Sequence, residues 1–166
     1  MADRSLVLDA NILIRAVLGK RVGQLIEQYV GDVDLFAPDT AFVEAEEHLP
    51  QLCTKRGLPL DKAMAVYDSL GMLVEELPEP MYSKQQAEAR ARIERRDAND
   101  WPVIACALTL GCPIWTEDRD FFGAGVPTWT TDRVELFLAN KEKSKPLQTN
   151  EESAPDRTLP ERDHGP

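Results

Sequence analysis

Short apolar runs recur along the chain, separated by longer stretches with a helical repeat. "SLVL" at 5–8, "DLFAP" at 34–38, "MLVEEL" at 72–77, "PIWT" at 113–116 and "VPTWTT" at 126–131 read as strands. They are apolar throughout rather than alternating, as expected of strands covered on both faces.

The stretches between them read as helices. Residues 11–18 form one, with Gly19 as its stop. "GQLIEQYV" at 23–30 puts Leu25, Ile26, Tyr29 and Val30 on one face. "DTAFVEAEEHLPQL" at 39–52 opens on Asp39 or Thr40 as cap, and Pro50 is expected to disturb its end. "PLDKAMAVYDSLG" is expected to stop at Gly71, and "SKQQAEARARIERR" to open with a capping box of Ser83 and Gln86. "WPVIACALTLG" carries Pro102 in its first turn and Gly111 just past its end. "EDRDFFGAG" is a loop and "DRVELFLAN" a closing helix. Strands alternating with helices predict an α/β fold with a parallel sheet, whose sites form at the carboxyl ends of strands.

Composition narrows this picture. The chain has 166 residues and 43% hydrophobic residues, which suits one domain at 1–140. From 141 to 166 apolar residues almost vanish among Pro, Ser, Glu and Lys, and this tail is expected to be disordered. No apolar run approaches the length of a membrane span, and the N-terminus lacks an apolar signal segment, so a cytoplasmic protein is expected. Three cysteines, none in a C-x-x-C pair, and two histidines argue against a disulfide framework and a zinc site. Cys106 and Cys112 are expected to be buried thiols. A net charge of −10 has the wrong sign for holding nucleic acid by electrostatics alone. It suits a basic partner, or clustered carboxylates awaiting a cation.

Four acids stand out within this order. Asp9 ends the first strand, Glu44 lies in the helix after the second, Asp100 opens the "WPVIACAL" helix, and Asp118 follows "PIWT". Each has a plain structural reading. Asp9 and Asn11 are good helix caps, Glu44 shares an acidic face with Glu46 and Glu47, one of Asp97, Asn99 and Asp100 serves as a cap, and Asp118 and Asp120 sit in a loop. Taken together, they can converge on one sheet edge. Such a cluster suits Mg²⁺ or Mn²⁺, which take hard oxygen ligands and support attack at phosphorus.

The order of these residues resembles the PIN-domain family of metal-dependent nucleases. "VLDAN" looks like that family's opening strand with its D-x-N. "FVEAEEHL" is similar to its second motif, a Glu with a Leu five residues on. "DANDWPVIACALTLGCPIWTEDRDF" looks like its third and fourth motifs run together. The resemblance spans residues 5 to 138. It implies a three-layer α/β/α sandwich around a mostly parallel sheet and Mg²⁺- or Mn²⁺-dependent hydrolysis of RNA phosphodiester bonds. The catalytic, metal-binding acids carry over to Asp9, Glu44, Asp100 and Asp118, with Asn11 and Thr116 as polar support. Asp120 matches a position that is often acidic. Asp97 is the alternative to Asp100, which the helix spacing prefers, and Glu47 lies one turn from Glu44. Many small members are VapC-type toxins that form homodimers and are blocked by an antitoxin protein covering the acidic groove.

Arg15, Lys20, Arg21, Arg119 and Arg133 are candidate phosphate contacts, with ordinary surface charge as the alternative. Trp101 is read as packing at its helix start, with stacking on a base as the alternative. Two other functional classes stay open. One is a non-catalytic RNA- or protein-binding module. The other is a small α/β phosphatase, against which stands Asn11 where a D-x-D motif would place its second acid.

Overall fold

The order of the strands explains where a site can form. In the computed structural model, which describes residues 4–141, five parallel strands lie in the order β3-β2-β1-β4-β5. They are β1 (Ser5–Leu8), β2 (Asp34–Pro38), β3 (Glu75–Leu77), β4 (Ile114–Trp115) and β5 (Thr128–Trp129). The chain starts in the middle, builds outward through β2 and β3, then returns to the other side of β1 for β4 and β5. The reversal falls between β1 and β4, which is where a crevice opens at the carboxyl ends of a parallel sheet.

Helices cover both faces, giving the expected α/β/α layers. α1 (Ala10–Leu18), α2 (Arg21–Tyr29), α3 (Asp39–Arg56), α4 (Leu60–Leu73) and the short α8 (Val134–Leu138) contribute to one core, with Leu6, Leu8, Leu35, Ala37 and Trp115 of the strands. α5 (Glu79–Tyr82), α6 (Gln86–Ile93) and α7 (Trp101–Leu110) contribute to the other, with Val7 and Ile114. Successive strand residues point to opposite faces. Leu6 and Leu8 therefore feed one core and Val7 the other, so an unbroken apolar run is satisfied on both sides.

Three expectations need correcting. Pro50 does not end its helix: α3 runs through it to Arg56. Pro50 and Glu46, whose carbonyl loses its donor, are both exposed, so water can satisfy that oxygen, while Ala45, Leu49 and Cys53 anchor the opposite side. Gly71 lies inside α4 rather than after it, because buried Leu70 and Val74 hold the last turn against the core. Ser83 caps nothing. It continues directly from α5 into a 3₁₀ turn at Ser83–Gln85, with helical backbone angles of its own.

Gly111, by contrast, is the left-handed stop of α7, at φ 63°. Cys53, Cys106 and Cys112 are free and buried. No helix among the described residues is long and apolar enough to cross a membrane. The tail expected at 141–166 lies, apart from Lys141, outside the described residues.

Candidate metal centre at the carboxyl edge of the sheet

Register brings the first two parts of the site together. β1 and β4 pair in parallel with Leu8 opposite Trp115, so the residues that follow, Asp9 and Thr116, leave the sheet side by side. The Asp9 N–H donates to the Trp115 carbonyl at 3.3 Å. Asp9 is only 5% exposed although it is an acid. One of its oxygens, Oδ1, accepts from the Ile12 N–H at 3.0 Å and so caps α1. The other, Oδ2, accepts a short hydrogen bond from the Thr116 hydroxyl. Capping and site are thus two uses of one carboxylate, since each oxygen keeps a further lone pair.

Thr116 also organises the loop after β4. Its hydroxyl oxygen accepts from the Asp118 N–H at 2.9 Å, and Asp118 Oδ1 accepts from the Asp120 N–H at 2.9 Å. Two guanidinium groups, Arg92 of α6 and Arg96 in the turn just after it, hold the same loop from outside. Arg96 donates to the carbonyls of Arg119, Asp120 and Phe122, and Arg92 donates to that of Ala124 at 3.1 Å. The loop turns at Gly123 and Gly125, whose φ angles of 83° and 78° lie in the left-handed region. Glu117 is taken up elsewhere, accepting from the Thr131 N–H at 2.6 Å.

The remaining acids arrive on helices. Asp100 precedes the first turn of α7, and Glu44 projects from the second turn of α3. Asp9, Glu44, Asp100 and Asp118 all line one cavity of about 330 Å³, together with Asn11. Carboxylate oxygens of Asp100, Asp118 and Asp120 lie within 4.8 Å of one another. Asp97 and Glu47 do not line the cavity. Asp97 is exposed and caps the turn before Asp100 by accepting from the Asn99 N–H at 3.0 Å. Glu47 is exposed on another side of α3.

Residues not singled out from sequence also face the cavity. Thr40, His48 and Gln51 lie one turn before, one turn after and two turns after Glu44 on α3. Once Glu44 is chosen, the helical repeat is the signal that finds them. His48 Nε2 stands 3.9 Å from Glu44 Oε1. Asn99 lies just ahead of Asp100. Trp101 packs rather than faces the cavity, with its ring 5.6 Å from that of Tyr82 and the Arg90 guanidinium 5.4 Å from its centroid.

Crowded, half-dry carboxylates resist ionisation. Burial pushes the Asp9 carboxyl up to about 6, with the charges of Asp118 and Glu44 adding, while the hydrogen bonds from Thr116 and Ile12 work the other way. Burial also takes Asp100 up to about 7, reinforced by the charges of Asp97, Asp118, Asp9 and Glu44. One Asp100 oxygen, Oδ2, is buried with no hydrogen-bond partner. An orphaned buried carboxylate oxygen beside two more carboxylates, all hard oxygen donors, fits a divalent cation of the Mg²⁺ or Mn²⁺ kind. Nucleophilic cysteine chemistry does not fit, since burial pushes the Cys106 and Cys112 thiols up and neither lines the cavity.

Comparison with known proteins agrees with this architecture. Residues 7–139 match the family model for the PIN domain. A comparison with curated protein sequences finds no match. Among solved structures, PAE2754 from Pyrobaculum aerophilum superposes with a TM-score of 0.63 at 14% identity, covering 82% of this chain and 90% of that one. VapBC2 from Rickettsia felis, bound to a DNA fragment from its promoter, gives 0.59 at 13% identity, over 76% of this chain and 98% of that one. FitAcB from Neisseria gonorrhoeae gives 0.57 at 19% identity, over 76% and 97%. At such identities the structural likeness speaks for the fold, and the family model, spanning most of the sequence, speaks for descent: the chain belongs to the PIN-domain family.

Proposed function

We propose that this protein is a divalent-metal-dependent endoribonuclease and the toxin of a toxin–antitoxin pair. The observation that carries the nuclease reading is the unpartnered, buried Asp100 Oδ2 in a cavity shared with Asp9, Glu44 and Asp118. Membership of a family whose members are typically nucleases supports it. Likeness to the toxin–antitoxin complexes VapBC2 and FitAcB supports the antitoxin partner. Exposed apolar side chains on α3, α4 and the turn between them, Val43, Leu58, Leu60 and Val66, suit burial in a homodimer or against that partner.

Asp100 and Asp118 would hold the ion with Asp9, and Asp120 is placed to join them. Glu44 would close the cavity from the α3 side. When bound, Mg²⁺ or Mn²⁺ supplies Lewis-acid charge to the phosphodiester and to the attacking water. The protein's own part is to hold the acids without reorganisation. Asp9 is fixed by two hydrogen bonds, and Asp118 is tied to the same Thr116 hydroxyl. Asn11 and Thr40, polar and exposed at the cavity wall, are placed to orient water or a ribose hydroxyl. The fixed acids also reject an approaching phosphate until a cation neutralises them, so activity is expected to be strictly metal-dependent.

The test is cleavage of single-stranded RNA by the purified full chain, with and without Mn²⁺, beside the Asp9→Asn and Asp118→Asn variants. Metal-dependent cleavage lost in both variants supports the reading. Absence of cleavage with retained metal binding would instead make the protein a binding module. Turnover of a phosphomonoester through a covalent phosphate on Asp9 would make it a phosphatase.

A further inference from the structure

A second groove, of about 390 Å³, opens beside the acidic cavity, and Asn11, Ile14 and Leu52 line both. Beyond these residues it runs between α1, the start of α2 and the end of α3. The charged side chains lining it are Arg15, Lys20, Arg21 and Arg56, with no carboxylate among them. In a chain of net charge −10 carboxylates are plentiful, yet three of these four cations make no ion pair among the described residues. Only Arg21 is paired, with Glu135 at 2.7 Å. Four like charges around one groove repel one another, an arrangement that an incoming polyanion relieves.

We propose that this groove is the track for the sugar–phosphate backbone of single-stranded RNA on one side of the scissile bond. The identity of the occupant rests on the nuclease reading of the adjoining cavity. α1 and α3 pack directly against one another, and the groove runs along their seam from the acidic cavity. Charge changes sign along α3, from Glu44 at the acidic end to Arg56 about 18 Å away at the helical rise. A phosphodiester chain reads across both ends, because a cation can carry it over the acids and the arginines need none. An acidic peptide would meet the same arginines but would be repelled where the groove meets Asp9 and Asp118. The track also reconciles an acidic protein with a polyanionic substrate, since affinity comes from a local stripe rather than from net charge.

The test is equilibrium binding of a short labelled single-stranded RNA to the full chain in chelator, where no cleavage can occur, across a salt series. The R15Q/R56Q variant changes two exposed side chains, and K84Q/R95Q removes the same charge at exposed positions outside the groove. R15Q/R56Q is expected to make the slope of log K against log salt shallower by about 1.4, near 0.7 for each lost phosphate contact. K84Q/R95Q is expected to leave that slope in place. Equal weakening by both variants overturns the proposal. Tighter binding of poly-glutamate than of RNA, with the same dependence on Arg15 and Arg56, also overturns it and makes the occupant an acidic peptide. RNA held through the groove but left uncut when Mn²⁺ is restored would sink the nuclease reading while leaving the groove assigned.

Discussion

Thr116 donates its hydroxyl proton to Asp9 Oδ2 across a sequence separation of 107 residues, and through the same oxygen it accepts from the Asp118 N–H. One buried hydroxyl therefore ties together two acids that are far apart in the sequence. Thr116→Val keeps the shape and removes both bonds. It is expected to cost about 1–3 kcal/mol, because a buried carboxylate oxygen and a backbone N–H are left unmet. Thr116→Ser should recover most of this. Denaturant titration in chelator measures the stability change, and RNA cleavage should fall for Val and return for Ser.

Asp100 is expected to be a liability to the metal-free protein and a necessity to the active one. Its carboxyl adds to the crowding of Asp9, Asp118 and Glu44. Asp100→Asn should raise the thermal midpoint in chelator at pH 8. With Mn²⁺ it should lower cleavage by more than about 100-fold, a ligand mattering at least as much as the outer groups that orient ligands. Thermal scans in chelator beside cleavage rates in Mn²⁺ separate the two effects. A midpoint unchanged at pH 8 would show that the acids are not strained against one another.

The pH dependence of the metal-free protein follows in sign. Asp9 near 6 and Asp100 near 7 both lie above their ordinary value of 3.8, so between about pH 4 and 7 the folded state holds more protons than the unfolded one. Stability in chelator is expected to fall as pH rises through that window and to level off above it. Mn²⁺, which binds the ionised acids, should stabilise the protein more at pH 8 than at pH 5. Thermal midpoints at several pH values, with and without ion, check both statements.

The Asp118–Asp120 loop depends on Arg92 of α6 and on Arg96 in the turn after it. Arg96 caps the carbonyls of Arg119, Asp120 and Phe122, and a Cβ at Gly125, at a φ of 78°, would meet Arg92 Nη1. Arg96→Ala is expected to weaken apparent Mn²⁺ affinity by about 10- to 100-fold. Arg96→Lys should restore only part of it: all three bonds come from the single nitrogen Nη1, and an ammonium offers three donors but sits on a side chain one atom shorter. Gly125→Ala should cost about 1 kcal/mol or more from the left-handed backbone alone. Mn²⁺ titration followed by cleavage, and by thermal shift, reads these changes apart from a general loss of folding.

Much of this architecture is legible in local sequence, for a physical reason. A strand covered on both faces must be apolar throughout, so "SLVL" and "PIWT" announce a buried parallel sheet. Pro102 and Gly111 bracket α7 because each has a backbone preference that acts within a turn. The acids could be named because each lies at or just past a strand's end, opens a helix or projects from an early helix turn. Pro50 and Gly71 misled where local preference met tertiary anchoring: exposure let water satisfy the broken α3 bond, and buried Leu70 and Val74 carried α4 past a weak residue.

Other features belong to the tertiary structure alone. Nothing local says that β4 rather than β2 brings its following residues against Asp9. That follows from the return of the chain across β1, which sets Thr116 beside Asp9 and opens the crevice there. Asp97 and Asp100 are both acids ahead of one helix, and only packing turns one outward to cap and leaves the other a buried, unpartnered oxygen. Arg15 and Arg56 are surface cations in sequence and neighbours across one groove in space. By itself the sequence determined which elements form and which residue types could do chemistry, because those preferences act over a few residues. Which of those residues meet was decided by the fold, because charge crowding, burial and shared hydrogen bonds exist only between groups that the chain has already brought together.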